Sequence, residues 1–185
     1  MRTVIHTERL TLREPRAGDA ERIEALASEW DVARMLGTMP YPYPENGAGS
    51  WIERMERGRA QGDGYAFIIE QQGRLLGVAG LGVRDDGTVE LGYWLGRAYW
   101  GQGFATEAAR AAVDAFFEDT GAEGLACDNF VDNPASARVI RKCGFRDTGL
   151  ARRWCEARQS DVLSRTHWLS RADWQGLTQR TSVAS

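Results

Sequence analysis

Residues 9–13 alternate Leu10 and Leu12 with arginine and threonine, the period-two pattern of a half-buried strand. After Asp19, a residue type that caps helices, Ile23, Leu26, Ala27 and Trp30 recur at helical spacing and predict a helix with one apolar face. Asp31 is placed to cap a short second helix carrying Val32, Met35 and Leu36. Residues 37–49 mix Pro40, Pro42 and Pro44 with tyrosines and glycines and read as a loop, because proline and glycine interrupt both regular structures. A further helix is expected from about Ser50, with Trp51 and Met55 on one side.

From Tyr65 the pattern changes. Three apolar runs, YAFIIEQ, LLGVAGLGV and VELGYWL, are separated by QQGR and DDGT turns, which predicts three consecutive antiparallel strands. The stretch YWGQGFATEA, residues 99–108, opens a helix expected to run to about Asp119, with Ala108, Ala112, Ala115 and Phe116 as its small-residue face and Gly121 at its end. GLACDN then reads as a short buried strand, FVDNP as a loop, and ASARVIRKC as a helix stopped by Gly144. FRDTGL and DVLSRTHWL are the last expected strands, with WCEARQS between them. Strands in runs with helices interleaved predict an α+β fold on a mixed sheet. With no internal repeat or linker, one domain over residues 1–185 is expected.

Composition narrows the function classes. Hydrophobic residues at 43% and charged residues at 26% are globular values and exclude wholesale disorder. A net charge of −3 argues against a general nucleic-acid binder, which needs a basic surface. The N-terminal residues are too polar for a secretory leader, and no apolar run reaches membrane-spanning length, so no membrane partner is expected. Cys127, Cys143 and Cys155 form neither a CxxC pair nor a metal-ligand spacing; no metal is expected, and a reduced, cytoplasmic setting is the natural reading. Only His6 and His167 could supply an imidazole.

The chemistry concentrates in GQGFAT, residues 101–106. A nucleoside-triphosphate loop would end in Gly-Lys-Ser/Thr, and Phe104-Ala105-Thr106 does not supply it. A dinucleotide fingerprint wants a third glycine, absent here, and a parallel strand before it. Two readings remain: a tight turn feeding a helix, or an anion cradle in which bare backbone lets a phosphate approach unpaired N–H groups at a helix start. Nearby Glu90 shares a strand face with Gly92 and Trp94, opposite Val89, Leu91 and Tyr93. It is either an ordinary strand-end residue or a candidate general base. Asn133 and Ser136 have a local reading as a turn and a first helical turn before and after Pro134. Arg152, Arg153, Arg158 and Arg165 read first as a solvated basic face.

GYWLGRAYWGQGFATEA, followed about thirty residues later by DNPASARVIRKCGF, resembles the GNAT superfamily of acetyl-CoA-dependent N-acetyltransferases. TERLTLREPRAGDAERI near the start and HWLSRADW near the end are similar to its RimJ/RimL type, which includes acetylases of ribosomal-protein N-termini. The resemblance implies layers of helices around a mixed, mostly antiparallel sheet with a V-shaped splay between central strands. It implies acetyl-CoA as co-substrate and pyrophosphate contacts at Gln102, Gly103, Ala105 and Thr106, within a loop that includes Gly101 and Phe104. Trp100 stands where the superfamily pattern has Gln or Arg, at little cost to a function resting on amides. Trp94, Leu95 and Gly96 are implied to offer backbone groups to the pantetheine arm and acetyl group, with an N–H near Leu95 for the oxyanion. Asn133 is implied near the pantetheine, and Arg138 or Lys142 near the adenosine phosphates.

By the same resemblance Glu90 matches the general base. Ile140 occupies the place of the usual tyrosine acid, which leaves Ser136 or water for the departing thiolate and puts Ser136 in both the catalytic and coenzyme sets. Tyr41, Tyr43 and Trp154 fall in segments that flank the acceptor cleft of this fold. The acceptor is a protein N-terminus or a small amine: an open groove would favour the first, and a closed acidic pocket a polyamine or aminoglycoside. The competing class is a coenzyme-A-binding sensor or scaffold without turnover. GNAT proteins often dimerise, and a homodimer stays open.

Overall fold

The computed structural model describes residues 1–183. Eight strands of these described residues form one sheet: β1 (Val4–His6), β2 (Thr11–Arg13), β3 (Gly64–Gln71), β4 (Arg74–Val83), β5 (Val89–Leu95), β6 (Gly124–Phe130), β7 (Arg146–Cys155) and β8 (Ser160–Ser170). Their spatial order is β1-β2-β3-β4-β5-β6-β8-β7, and every neighbouring pair is antiparallel except β5 and β6. Among the described residues six α-helices flank it: α1 (Ala20–Ala27), α2 (Trp30–Ala33), α3 (Gly47–Gln61), α4 (Phe104–Asp119), α5 (Pro134–Lys142) and α6 (Arg171–Val183).

Three expectations need correction. The helix after Asp19 ends at Ala27, and Trp30 begins α2 instead. Asp31 lies inside α2 and bonds Arg34 and Arg97, while Asp19 spends its carboxylate on Arg13 and the Arg16 amide rather than on a cap of α1. The strand β1 and the helix α6 were not in the sequence reading: β1 is three residues long, and α6 places only Trp174 and Leu177 among polar neighbours over its first turns.

The sheet is buried on both faces at its centre, which is why β3 reads as a continuous apolar run rather than an alternation. Phe67 and Ile69 face α4, packing with Leu12, Leu91, Ala112 and Phe116. Ile68 faces the other way, onto Ile23, Leu26 and Ile52 of α1 and α3. Each fully buried side chain of this kind contributes about 1.5–3 kcal/mol, so both helical layers are held to the sheet by its centre.

The joint between β5 and β6 positions the site. β5 pairs with β4 along its whole length, but its register with β6 is the single pair Glu90–Ala126. Beyond that vertex the two strands diverge, and the β5 edge from Tyr93 to Leu95 has no strand partner on that side. Across the open end a third cluster, Ala33, Phe130, Cys155 and Ala157, ties α2 to the far half of the sheet. Arg158 reinforces it through the Arg34 carbonyl at 2.6 Å and Asp132 at 2.8 Å.

Candidate active site

The loop between β5 and α4 is shaped by side chains that fold back onto it. Trp100 donates its indole N–H to the Leu95 carbonyl at 2.8 Å, and Gln102 donates its side-chain amide to the Ala98 carbonyl at 3.1 Å. Gly101 and Gly103 sit at φ +76° and +84°, the left-handed region that favours glycine. Gly103 is the N-cap of α4 and no side chain caps that helix. The first-turn amides of a 16-residue helix therefore face outward with the positive end of its dipole, the chemistry that fits a pyrophosphate. Ala105 and Thr106 lie in that first turn, whereas the Phe104 ring is buried and leaves only its backbone to the loop.

Arg9, from the turn before β2, fixes this loop. It donates to the Gln102 carbonyl at 3.0 Å, lies 4.6 Å above the Phe104 ring, and pairs with Glu107 at 2.7 Å. Burial pushes the Glu107 carboxyl up, but bonds from Thr7, the Arg9 amide and the Arg9 guanidinium outweigh it and hold the group below its ordinary value. Glu107 thus complements the helix start and also latches the N-terminal strands to α4.

The β5 edge offers fewer groups than expected. The Gly96 N–H bonds to the Leu76 carbonyl at 2.9 Å, and residues 96 and 76 are directly opposite in the β4–β5 register. In an antiparallel ladder such bonded pairs alternate. Trp94 and Gly96 therefore turn their N–H groups to β4, while Tyr93 and Leu95 turn theirs into the splay. Trp94 contributes its side chain to the α1–α3 side, and a Cβ at Gly96 would meet Leu26 at 2.5 Å. Of the three residues expected to present backbone there, Leu95 alone directs its N–H into the splay.

Across the splay stands α5. Asn133 is its N-cap, accepting from the Ser136 amide at 3.1 Å, with Pro134 as the first helical residue. The Ser136 hydroxyl lies 2.8 Å from the Tyr93 hydroxyl. Ile140 is buried in the core, and Arg138 and Lys142 project from the exposed face of α5.

At the vertex Glu90 is not a free carboxylate. Arg84 holds it at both oxygens, with bonds of 2.9 and 2.6 Å, and reaches on to Asp128 at 3.0 Å. Arg153 donates to the same Asp128 oxygen at 2.8 Å, while Asp128 Oδ1 is buried without a hydrogen-bond partner. The hydrogen bonds to Glu90, more than the proximity of Asp128, keep the Arg84 guanidinium far above its ordinary pKa and permanently charged. Two carboxylates and two guanidinia balance.

On the α1–α3 side Tyr43 packs on the cluster that includes Trp94, and Tyr41 meets Trp30 edge-on at 5.0 Å. Trp154 departs from expectation. Its neighbour Cys155 points into the Phe130 cluster, so strand alternation turns Trp154 to the opposite face, where its N–H bonds Glu156. Arg9, Arg84, Asp128 and Tyr93 are the residues that sequence reasoning missed. Only Tyr93 had a local signal, the alternation that sets it opposite Glu90. Among the described residues no His, Cys, Asp and Glu group has the arrangement of a metal site, and no helix is long and apolar enough to cross a membrane.

Comparison with known proteins agrees with this geometry. The family described as "Acetyltransferase (GNAT) domain" matches residues 9–146. An uncharacterized N-acetyltransferase, p20 of Bacillus licheniformis, is 27% identical over 158 residues, 83% of this chain and 88% of that protein. The uncharacterized N-acetyltransferase YoaA of Bacillus subtilis is 30% identical over 155 residues, 82% and 87% of the two chains. Among solved structures, RimL, the ribosomal L7/L12 alpha-N-protein acetyltransferase in complex with coenzyme A, superposes with a TM-score of 0.80 at 17% identity, covering 90% of this chain and 97% of its own. With a glycine-capped helix start beside a splayed strand and a family match over most of its length, the chain belongs to the GNAT family of N-acetyltransferases, whose donor is acetyl-coenzyme A.

Proposed function

We propose that this chain transfers the acetyl group of acetyl-coenzyme A directly to the α-amine of a protein N-terminus in a ternary complex. The observation that carries the acceptor is the charge balance at the vertex, where Arg84 and Arg153 neutralise Glu90 and Asp128. A site without a net negative field does not gather polycations, which counts against polyamines and aminoglycosides. The likeness to RimL supports the same reading.

Amides at Gln102, Gly103, Ala105 and Thr106 hold the pyrophosphate, Asn133 borders the pantetheine arm, and Arg138 with Lys142 meets the adenosine phosphates. Glu90 receives the amine proton through water on a lone pair that Arg84 leaves open, each carboxylate oxygen having two. The Leu95 N–H supports the oxyanion, a contribution of about 10²–10³ in rate for one donor. As the carbon–nitrogen bond forms and the carbon–sulfur bond breaks, the electron pair goes to sulfur. Ser136 donates a hydrogen bond to the departing thiolate, which takes its proton from solvent. Tyr41 and Tyr43 line the acceptor side. All three cysteines are buried free thiols, which supports a reducing, cytoplasmic setting.

The test is acetyl-CoA turnover against peptides, amino acids, polyamines and aminoglycosides. Peptides with a free α-amine should be acetylated and N-blocked ones should not. A polyamine or aminoglycoside preference overturns the acceptor. No consumption across the whole panel overturns transfer and leaves coenzyme A binding alone.

A further inference from the structure

Tyr93 has no part in the chemistry described so far, yet among the described residues its hydroxyl ties β5 to α5. It follows the vertex on β5, and its ring packs against the core on the α4 side. Its hydroxyl lies 2.8 Å from Ser136 Oγ and 3.2 Å from the Ser136 carbonyl oxygen. Ser136 is held a third time through its amide, which donates to Asn133 Oδ1 at 3.1 Å. Ser136 is thus gripped at its N–H, its carbonyl and its hydroxyl by residues of two elements.

Two hydroxyls at 2.8 Å share one proton between them, and the carbonyl gives Tyr93 a second acceptor. In one arrangement Tyr93 donates to the carbonyl and the serine proton points at Tyr93, where it serves no ligand. In the other, Tyr93 donates to Ser136 Oγ, and the only proton of the serine must point elsewhere. Two hydrogen bonds in series then strengthen the outer one.

We propose that Tyr93 is a positioning residue for acetyl transfer: by donating into Ser136 Oγ it turns the serine O–H toward the departing coenzyme A sulfur. Tyr93 keeps its proton throughout. No covalent bond to either hydroxyl is made or broken, and the thiolate is still neutralised by solvent. Burial holds the Tyr93 phenol well above its ordinary pKa, so it remains a donor across the working pH range. This role rests on the acetyl-transfer reading and adds to it a residue that the serine alone does not reveal.

A double-mutant cycle tests it, with Tyr93→Phe, Ser136→Ala and the pair assayed at saturating peptide acceptor while acetyl-CoA is varied. Tyr93→Phe should lower kcat about tenfold and leave the KM for acetyl-CoA within about twofold, the loss expected for one hydrogen bond to a developing charge. In the Ser136→Ala background the same change should cost nothing further. A bond that only ties β5 to α5 would lower the melting temperature and raise the KM for acetyl-CoA while leaving kcat in place; that result overturns the proposal. Unchanged kcat in either single variant overturns it as well, while leaving acetyl transfer standing. A wild-type protein without turnover on any amine fails at the level of the acetyl-transfer reading, and this role falls with it.

Discussion

Both carboxylate oxygens of Glu90 rest on one guanidinium, so Glu90 and Arg84 respond to substitution together. Glu90→Gln should lower kcat at neutral pH by about 10²-fold or more with little change in the KM for acetyl-CoA. Full turnover at neutral pH would remove Glu90 from the mechanism. Arg84→Met strands two carboxylates beside the single remaining Arg153. Breaking a fully buried pair costs about 3–5 kcal/mol. With a quarter of the Arg84 side chain exposed, about 1–3 kcal/mol is expected, read by urea unfolding. The sequence exposed Glu90 as a candidate because its strand position is local information. It hid Arg84 and Asp128, since the first lies across a turn and the second on another strand, and only pairing brings them to one carboxylate.

The start of α4 shows what an element gains from having no side-chain cap. Gly101 and Gly103 share a left-handed backbone, but their surroundings differ. A Cβ at Gly101 would meet nothing within 4 Å, whereas one at Gly103 would lie 3.2 Å from the Arg9 guanidinium that holds the loop. Gly101→Ala should therefore cost backbone strain alone, about 1–2 kcal/mol. Gly103→Val should add displacement of Arg9 and weaken acetyl-CoA binding by an order of magnitude or more, measured by calorimetry. Unchanged affinity would sink the cradle. Most helices were legible from apolar spacing, as with Ile23 and Leu26. The helix α6 was not, because the polar residues between Trp174 and Leu177 leave too thin a stripe to signal its packing, including the stack of Trp174 on Phe117.

Across the whole molecule, the N-terminal segment is fastened to α4 at both ends of that helix. Glu107 takes Thr7 and Arg9 at its start, and Asp119 takes Arg2 at its finish. The Arg2 hydrogen bond, against a smaller burial effect, lowers the Asp119 carboxyl to about 2, and Glu107 is also below its ordinary value. Both groups bind protons less readily folded than unfolded, so the stability they give is complete above their unfolded values, about pH 4. It should fade as the pH falls toward 2. Thermal melts of the wild type should show that decline, and Glu107→Gln should flatten part of it; a Glu107→Gln profile parallel to the wild type would contradict the latch. The sequence by itself determined the local devices: strand alternation, the glycine-opened helix, the turn at Asn133 before Pro134, and through their order the fold class and the family. The tertiary structure decided which of these groups can act. It turned the Leu95 amide into the splay and those of Trp94 and Gly96 away from it, put Arg84 on Glu90, and brought Tyr93 to Ser136 across 43 positions of sequence. Those outcomes depend on ladder parity and on strand divergence after one β5–β6 pair, which are properties of paired strands that no single segment carries.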